Sequence, residues 1–287
     1  MTVDNLSMEH LETIARLVCD IAREAGLYIK KERADFSVER VERKHAHDYV
    51  SYVDKGSERL VVAKLRALLP DAGFITEEGT AGECTIEHPE QDERLTWVVD
   101  PLDGTTNFIH GFPPYAVSIA LTQGRKILLG VVYEVCSDEC FYAWKNGGAY
   151  VDKRNAKGEQ ETIALHVGSS CIDDALLCLQ LPYNSAAYSS VIQQLIDCFY
   201  GRVGSIRMMG SAAIALCYVA AGRLDAYAER YIGRWDYMAG ALIVKEAGGR
   251  VTDYSGNDYF MQGDSVIATN AVIHDDLLSA ILNINNN

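Results

Sequence analysis

Residues 95–108 read Leu95-Thr-Trp-Val-Val-Asp100-Pro-Leu-Asp103-Gly-Thr-Thr-Asn-Phe108. The apolar run predicts a strand that leads straight into Asp100. Pro101, which has no N–H for a sheet ladder, is expected to stop it, and Asp103 follows one tight turn later. Two carboxylates are thus aimed at one point. Gly104 permits close backbone approach, and the amides of Gly104, Thr105 and Thr106 stand where a helix can begin, so they can donate to an anion. Taken alone, D-P-L-D-G is equally a capped surface turn, because Asp, Pro and Gly are the commonest turn residues. Further acids at the ends of neighbouring elements favour a site: Glu77-Glu78 after Phe74-Ile-Thr, Asp54 at a helix start, and Asp236 after Trp235.

Toward the N-terminus, Leu11, Ile14, Val18, Ile21, Ala25 and Tyr28 recur at steps of three and four, which predicts an amphipathic helix from about Ser7 to Glu32. A polar, doubly charged stretch from Arg33 to His47 separates it from a second helix, about Asp54 to Leu69, which Pro70-Asp71-Ala72-Gly73 ends. Short β-branched and aromatic runs then predict strands at Phe74–Thr76, Trp97–Val99, Ala116–Leu121, Leu128–Tyr133 and Cys140–Trp144. Asp152 to Val167 is less patterned. Beyond it, strands near Leu176–Leu179, Val203–Ile206 and Asp225–Ala228 alternate with helices near Ser189–Tyr200 and Gly210–Ala221. Asp236 opens a helix that ends at Gly248-Gly249, and a strand at Val266–Ala268 precedes a last helix from about His274 to Leu282. The alternation predicts a mixed α/β layered fold. With no repeat and no linker-like stretch, residues 1–287 are expected to form one domain of two closely packed halves, divided near residue 150.

Composition limits the function. Forty acidic against 26 basic residues give a net charge of −14, a field that repels nucleic-acid backbones and anionic membranes. A small anionic substrate requires a local reversal of sign, such as bound divalent cations. The longest apolar run, Ser211–Gly222, is too short to span a bilayer, and the N-terminus lacks a basic-then-apolar signal plan, so a soluble cytoplasmic protein without nucleic-acid or membrane partners is expected. The eight cysteines scatter through apolar segments without C-x-x-C pairs, which predicts reduced thiols. Cys136 and Cys140 lack the further Cys/His pair that a zinc site needs.

The quoted segment resembles the first signature of the inositol monophosphatase family, and Trp235-Asp-Tyr-Met-Ala-Gly-Ala-Leu-Ile-Val-Lys-Glu-Ala-Gly-Gly249 is similar to its second, W-D-x-A-x-G-x-x-x-x-E-A-G-G, with Ala-Gly displaced by one residue. Glu77-Glu78, Asn107–Pro113, Gly130–Tyr133, Gly210–Ala213 and Asp225–Glu229 are also similar, and the resemblance runs from about Lys44 to His274. The chain departs from the pattern between Lys44 and Asp54, one residue shorter, and over Asp152–Arg202, a stretch on the substrate side. The resemblance implies a layered α-β-α-β-α sandwich, a homodimer and inhibition by lithium. It implies metal ligation by Glu77, Asp100, Asp103, Asp236 and the carbonyl of Leu102, all hard oxygens that suit magnesium. Two Mg²⁺ ions would balance the four carboxylates, and a third would balance a phosphate dianion, which gives two to three ions per site.

By the same resemblance the reaction is hydrolysis of a small phosphomonoester, most closely inositol 1-phosphate, by metal-activated water attacking phosphorus in line. Glu77 and the Thr105 hydroxyl, supported by Asp54, would orient or deprotonate that water, and the amides of Gly104 and Thr105 would hold phosphate oxygens. Asp103 and Asp236 would face the substrate as well as the metal. Glu229 would accept vicinal hydroxyls of the alcohol half, in a pocket lined by Gly210, Ser211 and Ala212. As a solvent-facing turn acid, Asp103 would tolerate Asn without loss of fold. The alternatives are phosphatases of 3′-phosphoadenosine 5′-phosphate, fructose 1,6-bisphosphate or histidinol phosphate, and a regulatory binding protein that keeps the fold. A glycosidase with two of these acids finds no support in the Asp-Pro-x-Asp spacing.

Overall fold

A computed structural model describes residues 7–36, 41–45, 48–82, 93–180, 193–258 and 264–285, without the side chains of 41–50 and 285. The first helix, α1 (Met8–Ala34), starts where Ser7 accepts the His10 amide and buries the face that carries Leu11, Ile14, Val18, Ala25 and Ile29. A hairpin, β1 (Val41–His45) and β2 (Asp48–Ser51), starts within the polar, doubly charged stretch and runs on to the start of the second helix. It leads into α2 (Tyr52–Leu68), whose cap is Ser51, so Asp54 is the third residue of the helix rather than its start.

Seven strands form the first sheet: β3 (Gly73–Thr76), β4 (Leu95–Asp103), β5 (Ala116–Gln123), β6 (Lys126–Glu134), β7 (Glu139–Trp144), β8 (Ala149–Arg154) and β9 (Gln160–Ala164), in that spatial order. Only β3 and β4 are parallel. Pro101 does not end β4. Pairing with β5 breaks after Asp100↔Ser118 and resumes at Asp103↔Ala116, so the residue without an N–H falls where the ladder bulges and no donor is missed. The β8–β9 hairpin fills the stretch that carries little pattern, because β9 is an edge strand with mostly exposed side chains and no buried face to impose alternation.

After the short helix α3 (Thr105–His110) in the first half, the second half contributes β10 (Leu176–Leu179), α4 (193–199), β11 (Ser205–Arg207), α5 (Ala212–Ala220), β12 (Ala226–Arg230), α6 (Arg234–Glu246), β13 (Arg250–Thr252), β14 (Ser265–Thr269) and α7 (His274–Asn285). Its five strands are ordered β11-β10-β12-β14-β13. The start predicted for α4, Ser189 to Ile192, lies outside the described residues, as does Cys84; the other seven cysteines are free thiols.

Helices α1 and α2 cover one face of the seven-stranded sheet around Trp97, Val99, Val117 and Val131. Helices α5 and α6 pack between the two sheets, against Val98, Ala120 and Val132 on one side and Cys178, Tyr227 and Ala268 on the other. That sandwiched position explains the apolar run of α5, in which every residue except Tyr218 is buried: a helix covered on all sides needs no polar stripe. Gly240 of α6 lets the pair approach, since a Cβ there would lie 2.6 Å from the Leu216 Cβ. Helices α4 and α7 close the far face of the second sheet through Leu195, Phe199, Leu277 and Ile281. The layers therefore run α-β-α-β-α, with two sheets flanked by helices, as the family resemblance implies.

Candidate active site

The bulge in β4 carries the acids. Asp100 is 1% exposed and its carboxylate accepts the Leu102 amide at 2.9 Å, while Asp103 lies beyond the break in register. Parallel pairing of Thr76 with Val99, extended by a Glu77 N–H donation to the Val99 carbonyl at 3.3 Å, sets Glu77 beside Asp100. Asp236 comes from the first turn of α6, where its carboxylate accepts the Gly233 amide at 2.8 Å. The Ser118 hydroxyl ties β5 to that turn through the Trp235 carbonyl, 3.1 Å away. Residues more than 130 apart in sequence thus present carboxylate oxygens of Asp100, Asp103 and Asp236 within 4.8 Å of one another.

Such crowding is unfavourable for bare carboxylates. Burial, followed by the charges of Glu77 and Asp103, pushes the Asp100 carboxyl well above the usual carboxylate range, and the same causes raise Asp236. Asp103 is pushed up less, to about 6, because burial is opposed by donors from the start of α5: the Ser211 hydroxyl and the amides of Ala213 at 2.9 Å and Ala212 at 3.3 Å. An anion at a helix N-terminus is stabilised by those amides and by the helix dipole. Asp103 is only 7% exposed and caps α5 from 108 residues away in sequence, so it is not the solvent-facing turn acid that its sequence context predicts.

Thr105 opens α3. Its hydroxyl lies 2.8 Å from an Asp54 oxygen and 3.0 Å from the Leu102 carbonyl. One hydroxyl proton serves one acceptor, and the carboxylate is the stronger, which leaves the Leu102 carbonyl lone pairs for another ligand. Asp54 is 0% exposed, and burial pushes its carboxyl upward against donations from Ser51 and Thr105. Gly104 adopts φ 87°, and a Cβ there would come within 3.1 Å of the carbonyls of Gly210 and Pro114. Asn107 fastens the same turn to the second half by donating to the Pro114 and Met209 carbonyls, both at 2.8 Å.

These residues open onto a cavity of about 240 Å³, lined by Glu77, Asp100, Leu102, Asp103, Gly104, Thr105 and Thr106 at one end. Gly210, Ala212, Glu229 and Asp236 also line it, together with Gln180, Tyr231, Gly233 and Trp235. Of the residues singled out from sequence, Asp54 stands behind Thr105 and Ser211 turns its hydroxyl to Asp103, so neither is part of the lining. Glu229 lies on β12, 9% exposed, and accepts the Tyr227 hydroxyl; burial pushes its carboxyl up to about 8. Gln180, whose side-chain oxygen accepts the Gly210 amide at 3.2 Å, and Tyr231 were not foreseen. Neither belongs to a local pattern, and only the sheet order β10-β12 brings Gln180 beside Glu229.

The donor set suits a hard divalent cation. Asp100, Asp103, Asp236 and Glu77 supply carboxylates and Leu102 a carbonyl, and among the described lining residues none is Lys, Arg or His. Protons or cations are what relieve such a cluster.

The sequence profile of the inositol monophosphatase family matches residues 10–286. An inositol-1-monophosphatase of Mesorhizobium japonicum is 34% identical, covering 93% of this chain and 96% of its own. The Nus factor SuhB of Vibrio cholerae is 34% identical, covering 86% of this chain and 88% of its own. The crystal structure of the extragenic suppressor protein suhB of Bartonella henselae superposes with a TM-score of 0.82 at 33% identity, covering 94% of this chain and 98% of that one.

Proposed function

Because this chain belongs to the inositol monophosphatase family, we propose that it is a magnesium-dependent phosphomonoester hydrolase whose substrate is an inositol monophosphate. The observation that carries this reading is the convergence of Asp100, Asp103 and Asp236 within 4.8 Å in a cavity whose described lining has no basic side chain. Glu77, Asp100, Asp103, Asp236 and the Leu102 carbonyl would hold two to three Mg²⁺ ions. When bound, these ions supply positive charge to the phosphate and acidify water.

The protein's own groups do the rest. Asp54, fixed by Ser51, orients the Thr105 hydroxyl; Thr105 and Glu77 position the attacking water, whose proton goes to Glu77 or to Thr105 as Thr105 passes its own to Asp54. First-turn amides at Gly104 and Thr105 face the phosphate oxygens. Asp103 and Asp236 border the substrate as well as the cations. Glu229 accepts hydroxyls of the alcohol half, and Gly210 and Ala212 shape the wall beside it. Ser211 contributes indirectly, by holding Asp103.

The α5–α6 layer packed against both sheets supports treating residues 1–287 as one functional unit of two halves, near 1–150 and 151–287. Lithium sensitivity, a homodimeric state and a cytoplasmic setting without nucleic-acid or membrane partners belong to the same reading. No described helix is long and apolar enough to cross a membrane. A second reading, a regulatory protein that keeps the fold, is favoured by the name of the Nus factor relative. The intact acid set supports hydrolysis, with which a regulatory role is compatible.

The test is a panel of inositol 1-phosphate, fructose 1,6-bisphosphate, histidinol phosphate and 3′-phosphoadenosine 5′-phosphate with Mg²⁺ and with EDTA. The highest kcat/KM is expected for inositol 1-phosphate, and no turnover in chelator. Full activity in EDTA would sink the metal assignment, and a preference for another member of the panel would move the substrate there.

A further inference from the structure

Helix α2 presents Asp54, Ser57 and Glu58, each 0% exposed, to three separate segments around the site. Asp54 receives the Thr105 hydroxyl at 2.8 Å. Ser57 donates to the Pro101 carbonyl at 2.9 Å, inside the bulge between Asp100 and Asp103. Glu58 accepts the Glu78 amide on one oxygen at 2.7 Å and the Thr80 amide on the other at 2.6 Å. Positions i, i+3 and i+4 share a helix face, so one rigid element reaches all three segments at fixed spacing.

Glu77 is consequently held from both sides. Its own amide donates to the Val99 carbonyl of β4, and the next amide along donates to Glu58. Both oxygens of Glu58 are engaged by backbone donors, and charge-assisted bonds of this kind are short and directional. Among the described residues the side-chain partners of this buried carboxylate are the amides of one loop, so it fixes the course of that loop, and this loop begins at Glu77.

We propose that Glu58 is a positioning residue: through the amides of Glu78 and Thr80 it fixes the turn that presents Glu77 to Asp100 and Asp236, and Ser57 does the same for the Asp100–Asp103 bulge. The proposal rests on the functional reading above, because it takes Glu77 to be a cation ligand. Groups that orient metal ligands typically change metal affinity or activity by about 10–100-fold when removed.

The experiment is a double-mutant cycle on the full chain, read by calorimetric titration with Mg²⁺ alone. Glu58→Gln replaces one acceptor with an NH₂ that opposes an amide N–H. It is expected to weaken Mg²⁺ binding by about tenfold or more. In a Glu77→Gln background the same change is expected to weaken it no further, because the residue on which it acts is already disabled. Equal losses in both backgrounds, or a lowered Tm with the parent's Mg²⁺ affinity, would overturn the positioning role and leave Glu58 a structural tie. If Glu58→Gln does not fold, Glu58→Asp, which keeps the charge but retracts it by one methylene, goes through the same cycle: a loss confined to the Glu77 background supports the role, and equal losses overturn it. A parent chain that binds no Mg²⁺ would refute the functional reading first, and the positioning role with it.

Discussion

Glu229 offers a test of the site that needs no substrate. It lies on β12 opposite Val266 of β14, accepts the Tyr227 hydroxyl and is 9% exposed. Burial raises its carboxyl from the ordinary 4.5 to about 8, against the Tyr227 donation and with the Asp103 charge adding to it. The folded protein therefore keeps a proton through a window in which the unfolded chain has lost it. Stability falls as pH rises through that window and levels off above about 8. The neutral near-isostere Glu229→Gln removes this dependence and still accepts from Tyr227. Between about pH 5.5 and the folded value, at about 1.4 kcal/mol per unit, the variant should gain about 3 kcal/mol over the parent. For a chain of this size that is roughly 6 °C in Tm. Thermal unfolding of parent and variant in EDTA across this range measures it, with the Tm difference widening toward alkaline pH. Parallel Tm–pH curves would refute the assignment of a protonated Glu229 in the cation-free cleft.

Three other outcomes are expected. Asp103→Asn should lower Tm as well as turnover, because the carboxamide NH₂ must oppose one of the donors from Ser211, Ala212 or Ala213, at a cost of about 1–3 kcal/mol; unchanged Tm in a chelated thermal scan would contradict the capping of α5. Glu229→Ala should reduce kcat/KM for a polyol phosphate by about 2–4 kcal/mol and have far less effect on a small aryl phosphate, and equal losses on both would assign Glu229 to the fold or the acid cluster instead. Lithium should inhibit uncompetitively with respect to the phosphomonoester if it enters after the phosphate is bound, and competition in a steady-state titration would reverse that order.

Elements with a local signal were legible in the chain alone. The steps of three and four in α1 and the apolar run of β4 depend on neighbours along the chain, and the described helices and most strands stand within a few residues of their predicted places. Family membership was legible for the same reason, since both signatures are contiguous. What escaped depends on distant partners. The β8–β9 hairpin has an exposed edge strand, β13 is only three residues long, and Pro101 is accommodated by a register shift that only the pairing with β5 reveals.

How the acids are divided became visible only in the packed molecule. Asp100 and Asp236 meet because β4 and the first turn of α6 converge, Asp103 serves α5 as well as the cleft, and Asp54 stands behind Thr105. Ser211 turns away from the cavity, while Gln180 and Glu58, which belong to no motif, face the cavity and the Glu77 turn. The cause is range. Propensity and periodicity act over a few residues, whereas a buried carboxylate takes its partners from whichever donors the packed layers bring to it, and its energy depends on burial and neighbouring charge.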